Sequence, residues 1–294
     1  MKHDTALTKI PDTISAAEAS TLPGLLKCRI ERTPRSPAYQ QYDRKQNRWV
    51  SYCWQEIGNF VARWQRGLTK ESLRTGDRVA ILLANSIEWV CFEQAALALG
   101  LVVVPLYTWD TPENLAYLLK DSGIRLLLTG TAEQWLKLVP LASSFPELDK
   151  VICLEEKTLA QAAGIATAST TQWLPGDGGK ITVHVNDPDS LATIVYTSGT
   201  TGPPKGVMLS HYNILWNAEA ILKVIPCYTS DVLLSFLPLS HTFERTVGYY
   251  IPMMVGSSVA YCRSMDALGE DLATIRPTII ISVPRVFENP PELG

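Results

Sequence analysis

Short apolar runs alternate with amphipathic segments over most of the chain, and this alternation predicts strands separated by helices. Strands are predicted at 78–84, 102–106, 126–128, 151–154, 232–236, 257–261 and 278–282. Uninterrupted apolar strands between helices are typical of parallel sheets that are buried on both faces. The pattern therefore predicts an α/β fold with two helix-covered, mostly parallel sheets.

Two segments near the N-terminus precede this alternation and are predicted to form a β-hairpin and an amphipathic helix. Residues 38–42 and 49–52 are predicted to pair as a hairpin around the polar turn 43–47. A helix is predicted next, because one apolar face is formed at steps of three and four residues by Trp54, Ile57, Val61, Trp64 and Leu68.

Helix ends are marked by capping residues. Asn85 with Glu88 three positions later predicts a capping box for a helix that ends at Gly100. Thr111 is predicted to cap another helix, whose first residue is Pro112.

The domain organisation follows from changes in this pattern. Residues 1–21 are polar and small, and we interpret them as an N-terminal arm. Residues 22–175 are predicted to form a first α/β subdomain and residues 176–294 a second one. Residues 155–189 show only weak hydrophobic periodicity and are interpreted as the connection between them.

Composition narrows the class of protein without identifying it. The 294 residues are 46% hydrophobic and 19% charged, which is typical of a globular protein, and the net charge of −3 predicts no nucleic-acid partner. Seven Lys and Arg residues between positions 27 and 48 favour a solvated face over a lipid-binding patch. Peripheral membrane contact stays open as an alternative.

The expected compartment is the cytoplasm. Six scattered cysteines without C-x-x-C spacing indicate reduced core residues rather than disulfides or a zinc site. The first residues lack the apolar core of a signal peptide, and no apolar run reaches the roughly 18 residues of a membrane span.

The strongest chemical signal is T-I-V-Y-T-S-G-T-T-G-P-P-K-G-V-M-L-S-H at 193–211. Glycines, hydroxyls and one lysine suit polyphosphate, since backbone N–H groups can approach the oxygens closely. A plain hairpin turn is the alternative. A Walker A loop is excluded, because Gly206 stands where that motif needs Ser or Thr and strand-like residues follow it.

The segment Y-T-S-G-T-T-G-P-P-K-G-V resembles the phosphate loop of the adenylate-forming enzymes, which include acyl-CoA synthetases, adenylation domains of peptide synthetases and beetle luciferases. L-P-L-S-H-T-F-E-R at 237–245 and R-P-T-I-I-I-S-V-P-R-V-F-E at 276–288 are similar to the long-chain fatty-acid branch. The resemblance covers nearly the whole chain. It implies part of the large N-terminal domain of such an enzyme.

The resemblance also implies a reaction. A fatty acid is activated by ATP to acyl-adenylate, and coenzyme A then takes the acyl group, with Mg²⁺ assisting the first step. By this resemblance the β- and γ-phosphates contact Ser198, Gly199, Thr200, Thr201, Gly202 and Lys205. Thr197 is expected to bind ATP and contact magnesium. Lys205 and His241 are the expected catalytic residues.

Alternatives remain around the second motif. Ser240 is predicted to cap a helix with His241 in its first turn. The resemblance implies that His241 lies beside the acyl carboxylate. Without the resemblance, His241 is better explained as a structural histidine. Glu244 and Arg245 could be a solvated pair, and Arg285 could support the acyl site or cap a helix.

Superfamily members run to roughly twice this length, so the resemblance implies a truncated enzyme. The missing part would hold the adenine and ribose sites and a catalytic lysine in a mobile C-terminal domain. The alternative is a non-catalytic nucleotide-binding remnant or interaction module. Within the enzyme class, a carrier-protein-loading acyl-AMP ligase and an aryl-acid–CoA ligase share the loop. The oligomeric state is not indicated.

Overall fold

A computed structural model describes residues 12–185, 187–197 and 202–283. The helices are α1 Ala16–Ala19, α2 Leu22–Arg32, α3 Trp54–Leu68, α4 Ile87–Ala98, α5 Pro112–Ser122, α6 Ala132–Leu138, α7 Thr170–Trp173, α8 His211–Leu222, α9 Thr242–Glu244, α10 Ile251–Val255 and α11 Leu268–Ile275. The strands are β1 Pro37–Asp43, β2 Arg48–Cys53, β3 Arg78–Leu82, β4 Val102–Pro105, β5 Ile124–Thr129, β6 Lys150–Cys153, β7 Ala166–Ser169, β8 Leu191–Thr197, β9 Lys205–Ser210, β10 Val232–Ser235, β11 Ser258–Tyr261 and β12 Ile279–Ile280. A 3₁₀ turn covers Val139–Ser144 and a π-helical turn covers Arg245–Tyr250.

The larger sheet has seven strands in the order β7-β6-β5-β3-β4-β8-β9. Its strands run parallel except for the antiparallel pair β8–β9. Helices α4, α5 and α6 connect successive parallel strands, as the alternation of apolar runs predicts.

The smaller sheet has five strands in the order β12-β10-β11-β1-β2. It is parallel except for the β1–β2 hairpin, whose N-terminal strand pairs with β11. The expected α/β architecture with two mostly parallel sheets is confirmed.

The two sheets exchange strands along the sequence. β1 and β2 precede residue 175 yet complete the sheet built from residues 232–280, whereas β8 and β9 follow it and complete the sheet built from residues 78–169. The predicted boundary after residue 175 therefore does not separate the sheets, and as a division into domains it stays a prediction. The connection at 155–189 contains β7 and α7.

The main core lies between the two sheets and the helices that pack there. Val79 and Ile81 of β3 belong to this core, together with Val259 and Tyr261 of β11. Because side chains alternate along a strand, the intervening residues of β3 face a second cluster under α5 and α6. A third, small cluster joins the outer face of the smaller sheet to α11. The helices thus cover both faces of each sheet.

The segment before α2 packs against this core. Ile14 is fully buried, and its backbone N–H donates to Met254 O at 2.9 Å. Within the predicted arm of residues 1–21, residues from 12 onward are therefore part of the folded body, and residues 1–11 lie outside the described residues.

One predicted helix cap is wrong and another is confirmed. Ser86, not Asn85, caps α4, and its Oγ accepts from Trp89 N at 3.2 Å. Asn85 instead donates from Nδ2 to Leu237 O at 2.6 Å. Thr111 caps α5 as predicted.

All six cysteines lie in described parts of the chain and are free thiols. Among the described residues, the longest apolar helices are too short to cross a bilayer.

Candidate functional site

The β8–β9 hairpin brings together two residues of the predicted phosphate loop. Thr197 and Lys205 are cross-strand partners at its loop end, where β8 ends and β9 begins. Directly opposite residues of an antiparallel pair share one face of the sheet, so the hydroxyl and the ammonium stand side by side. Ser198, Gly199, Thr200 and Thr201 lie outside the described residues, and their roles stay predictions.

Glycine is required at both ends of residues 202–206, which lead from the phosphate loop into β9. Gly202 has φ 109°, a conformation that side-chain-bearing residues rarely adopt. A Cβ on Gly206 would lie 2.7 Å from Ile194 Cγ2 on the facing strand. Between them, Pro204 O accepts a hydrogen bond from Tyr117 Oη at 3.3 Å, which ties the segment to α5. The base of the loop is therefore held in place.

The donor set at this end fits a polyanion. Lys205 and Thr197 are exposed, and no described carboxylate lies within ion-pair distance of the Lys205 ammonium. The described residues also contain no group of three His, Cys, Asp or Glu side chains placed to hold a metal. A magnesium ion at Thr197 would thus take most ligands from phosphate oxygens and water, as Mg²⁺ commonly does.

His241 is itself the cap of α9. Its Nδ1 accepts a hydrogen bond from Phe243 N at 3.2 Å. This bond leaves the proton of the neutral ring on Nε2, and the ring is exposed. The prediction that Ser240 caps this helix is wrong, because Ser240 is buried and its Oγ donates to Leu106 O at 2.7 Å.

An apolar groove connects the hairpin to the α9 region. Its volume is about 450 Å³. It is lined by Val195, Thr197, Val207, Leu209, Asn213, Ile214, Asn217, Ile221, Thr242, Phe243, Arg245, Thr246 and Val247. Thr197 of the hairpin and Thr242, next to His241, therefore border the same space. A ligand in this groove would lie between the phosphate loop and the helix that His241 caps.

The proposed solvated pair of Glu244 and Arg245 is wrong, because both side chains are buried. Glu244 Oε1 accepts from Ser235 Oγ at 2.7 Å, and burial raises the pKa of the Glu244 carboxyl to about 7. Arg245 forms an ion pair with the buried Glu93 of α4.

Sequence reasoning missed three polar residues behind the site. Glu93 is the one carboxylate in the second half of α4, where the other residues except Gln94 are apolar, and this is the signal that could have revealed it. Thr193 accepts from Arg245 Nη1 at 2.8 Å. His211 is buried and its Nδ1 accepts from Leu22 N at 3.3 Å. Burial, together with the charge of Arg245, lowers the pKa of His211 to about 4.

Comparison with known proteins identifies the family. Residues 26–290 match the family model of the AMP-binding enzymes. The chain belongs to this family. The predicted membership of the adenylate-forming enzymes is thereby confirmed, and the phosphate-loop hairpin lies within the matched region.

Relatives in the AMP-binding family include enzymes named for long-chain acids. Fatty acyl-CoA synthetase B of Dictyostelium discoideum is 31% identical over 253 residues, covering 82% of this chain and 36% of the relative. Long chain acyl-CoA synthetase 6, peroxisomal, of Arabidopsis thaliana is 30% identical over 247 residues, covering 82% of this chain and 35% of the relative. The chain thus spans little more than a third of the length of these relatives.

A solved structure shows the same fold. The anthranilate CoA ligase AuaEII in complex with anthranoyl-AMP superposes with a TM-score of 0.78 at 20% identity, covering 92% of this chain and 50% of that one. At this identity the likeness shows the architecture alone.

Proposed function

We propose that the protein containing this chain activates a long-chain fatty acid with ATP and then transfers the acyl group to coenzyme A. The observation that carries the proposal is the shared border of the apolar groove, where Thr197 of the phosphate-loop hairpin meets the residues that follow His241. The names of the relatives support the substrate class.

In the first step the acid carboxylate attacks the α-phosphorus of ATP, and pyrophosphate leaves. Lys205 and the hydroxyl and backbone N–H groups of 198–202 would hold the β- and γ-phosphates and stabilise the charge that accumulates there. Mg²⁺ supplies further charge neutralisation. Lys205 and Thr197 would therefore orient the triphosphate so that its α-phosphate faces the groove.

The acid would lie in the groove. A volume of about 450 Å³ is within the range of about 300–1,000 Å³ of small-molecule sites. The exposed His241 Nε2–H is a donor suited to the acid's carboxylate. Its Nδ1 accepts a hydrogen bond from the backbone N–H of Phe243, and this bond keeps the ring proton on Nε2.

In the second step a thiol attacks the acyl carbonyl and AMP leaves. Coenzyme A is the proposed thiol, in keeping with the names of the relatives. A cytoplasmic location and peripheral membrane contact stay predictions.

The test uses the longest gene product that contains this chain. Acid-dependent exchange of radiolabelled pyrophosphate into ATP is measured with a panel of short, long and aromatic acids. The proposal expects exchange with long-chain acids and acyl-CoA formation on adding coenzyme A. Exchange with aryl acids alone would favour the aryl-acid ligase, and transfer only to a carrier protein would favour the carrier-loading ligase. ATP binding without any exchange would favour the non-catalytic remnant.

Residues 1–294 on their own provide a second assay. We expect weak ATP binding and no fatty-acid-dependent exchange from them. Robust exchange by residues 1–294 would show that no further residues are needed.

A further inference from the structure

A buried polar bridge forms part of the wall of the proposed acid groove, which Arg245 lines. The guanidinium of Arg245 is ion-paired to Glu93 and donates from Nη1 to Thr193 Oγ1 at 2.8 Å. Thr193 Oγ in turn donates to Val103 O at 2.6 Å. The same guanidinium lies 5.6 Å from the centroid of the Trp89 ring. Arg245 therefore joins the π-helical turn to α4 and β8, and Thr193 extends the bridge to β4.

The bridge connects the two halves of the site. Arg245 lies four residues after His241, and its backbone N–H donates to His241 O at 3.0 Å. Thr193 lies four residues before Thr197 on β8. A rotation of α9 against β8 would break the bond between Arg245 and Thr193. The bridge thus links the segment that carries His241 to the strand that leads into the phosphate loop.

Stability alone gives little reason for this arrangement. Removing two charges from water costs about as much as their attraction returns, and buried pairs are often replaceable by apolar residues without loss. Glu93 Oε2 and Arg245 Nε also have no described partner. A directional contact that confers little stability is suited to specifying one arrangement of the elements it joins.

We propose that Arg245 is a positioning residue, which holds the His241 helix at a fixed distance from the Thr197–Lys205 end of the hairpin. Arg245 acts through Glu93 and Thr193. The inference rests on the proposed function, because it assigns the bridge to aligning the acid carboxylate with the α-phosphate.

The decisive variants change the bridge without creating a cavity. Thr193→Val removes the hydroxyl at nearly constant volume, whereas Thr193→Ser retains it. In the longest gene product we expect Thr193→Val to lower kcat for acid-dependent pyrophosphate exchange about 10- to 100-fold with the KM for ATP within about twofold, since misplacement of reacting groups acts on the transition state. Thr193→Ser is expected to retain most of kcat.

A matched control is a second buried arginine. Arg29 is fully buried and ion-paired to Asp12, but it binds Met253 O and Met254 O, away from the hairpin. Arg29→Met and Arg245→Met are compared at a temperature where both are folded. If both arginines are purely structural, the fraction of active protein should fall in proportion to the loss of thermal stability in both variants. Positioning predicts a loss of kcat only for Arg245→Met.

A double-mutant cycle tests the route of the effect. If Arg245 acts through His241, then Arg245→Met lowers kcat much less in a His241→Ala background than in the native one. Additive losses would overturn the proposal.

Hydrogen exchange supplies a readout that does not need activity. We expect Thr193→Val to speed exchange in peptides covering 191–197 and 241–250 together, by at least roughly tenfold, because the variant loses both buried hydrogen bonds of the hydroxyl. Unchanged exchange in 241–250 would overturn the inference. An inactive parent protein would instead contradict the proposed function, and the exchange experiment would still decide on the bridge.

Discussion

Thr197 and Lys205 stand opposite each other where β8 ends and β9 begins. Their Cβ atoms are therefore expected about 4.5–5.5 Å apart on one face of the hairpin. A hydroxyl and an ammonium at that spacing can reach oxygens of the same polyphosphate. The antiparallel register, and not the loop alone, places them together.

Lys205 should contribute to nucleotide affinity. Replacing it by alanine removes the ammonium at the mouth of the loop, and we expect ATP to bind about 10- to 100-fold more weakly, because charge-assisted contacts contribute roughly 1.5–3 kcal/mol. Isothermal titration with ATP measures this. Lys137→Ala, at an exposed lysine of α6 paired with Glu133, is the control. Equal affinity of Lys205→Ala and the parent would refute the assigned loop.

The groove should set the length of the acid. Val207 lines it, whereas the next residue, Met208, is exposed on the other face of β9. A tryptophan at position 207 would occupy the space of the acyl chain, so Val207→Trp should lower kcat/KM for long acids at least about tenfold relative to short ones. Met208→Trp should leave the acid preference unchanged. The same preference in both variants would place the acid elsewhere.

Glu244 should make the protein less stable as the pH rises. Burial raises the pKa of its carboxyl from 4.5 to about 7, so the folded state binds a proton that the unfolded state releases. This contribution is fully present below pH 4.5 and is lost between pH 4.5 and pH 7. By linkage, Glu244→Gln should be more stable than the parent by up to about 3 kcal/mol at pH 8, and similar to it near pH 4.5. Urea unfolding at the two pH values measures the difference, and an equal difference at both would contradict the assignment.

His211 should make the protein more stable as the pH rises, which is opposite to the effect of Glu244. Its pKa is lowered from 6.5 to about 4 by burial and by the charge of Arg245, so the folded state holds the neutral ring. The contribution is present above pH 6.5 and is lost as the pH falls toward 4, by about 3 kcal/mol. His211→Gln keeps an acceptor for Leu22 N and removes the titration.

In the parent protein, the opposite pH dependences that Glu244 and His211 give to the free energy of unfolding should nearly cancel between pH 4.5 and 6.5. Glu244→Gln should therefore become more stable with rising pH, and His211→Gln should become less stable. His184→Gln, at an exposed histidine, is the control for His211. Parallel pH profiles for the parent, Glu244→Gln and His211→Gln would exclude both assignments.

Much of the fold could be predicted from local pattern. The periodic apolar face of α3 and the cap at Thr111 depend on residues a few positions apart, and both are found as predicted. The loop motif also pointed to Thr197 and Lys205, which the hairpin pairs, and their roles stay predictions. Asn85 failed as a cap because its side chain bonds to the strand–helix connection after β10, about 150 positions away.

The sequence by itself determined the class of elements and the family, and it predicts a phosphate-binding chemistry for the loop, since each depends on residue types at short spacing. Tertiary structure alone decided that β1 and β8 cross to the other sheet and that Glu244 and Arg245 are buried. The physical reason is distance along the chain. Arg245 forms its ion pair with Glu93, which is 152 positions away in the sequence. Local periodicity does not predict such a pair, because it forms only when the two sheets pack together.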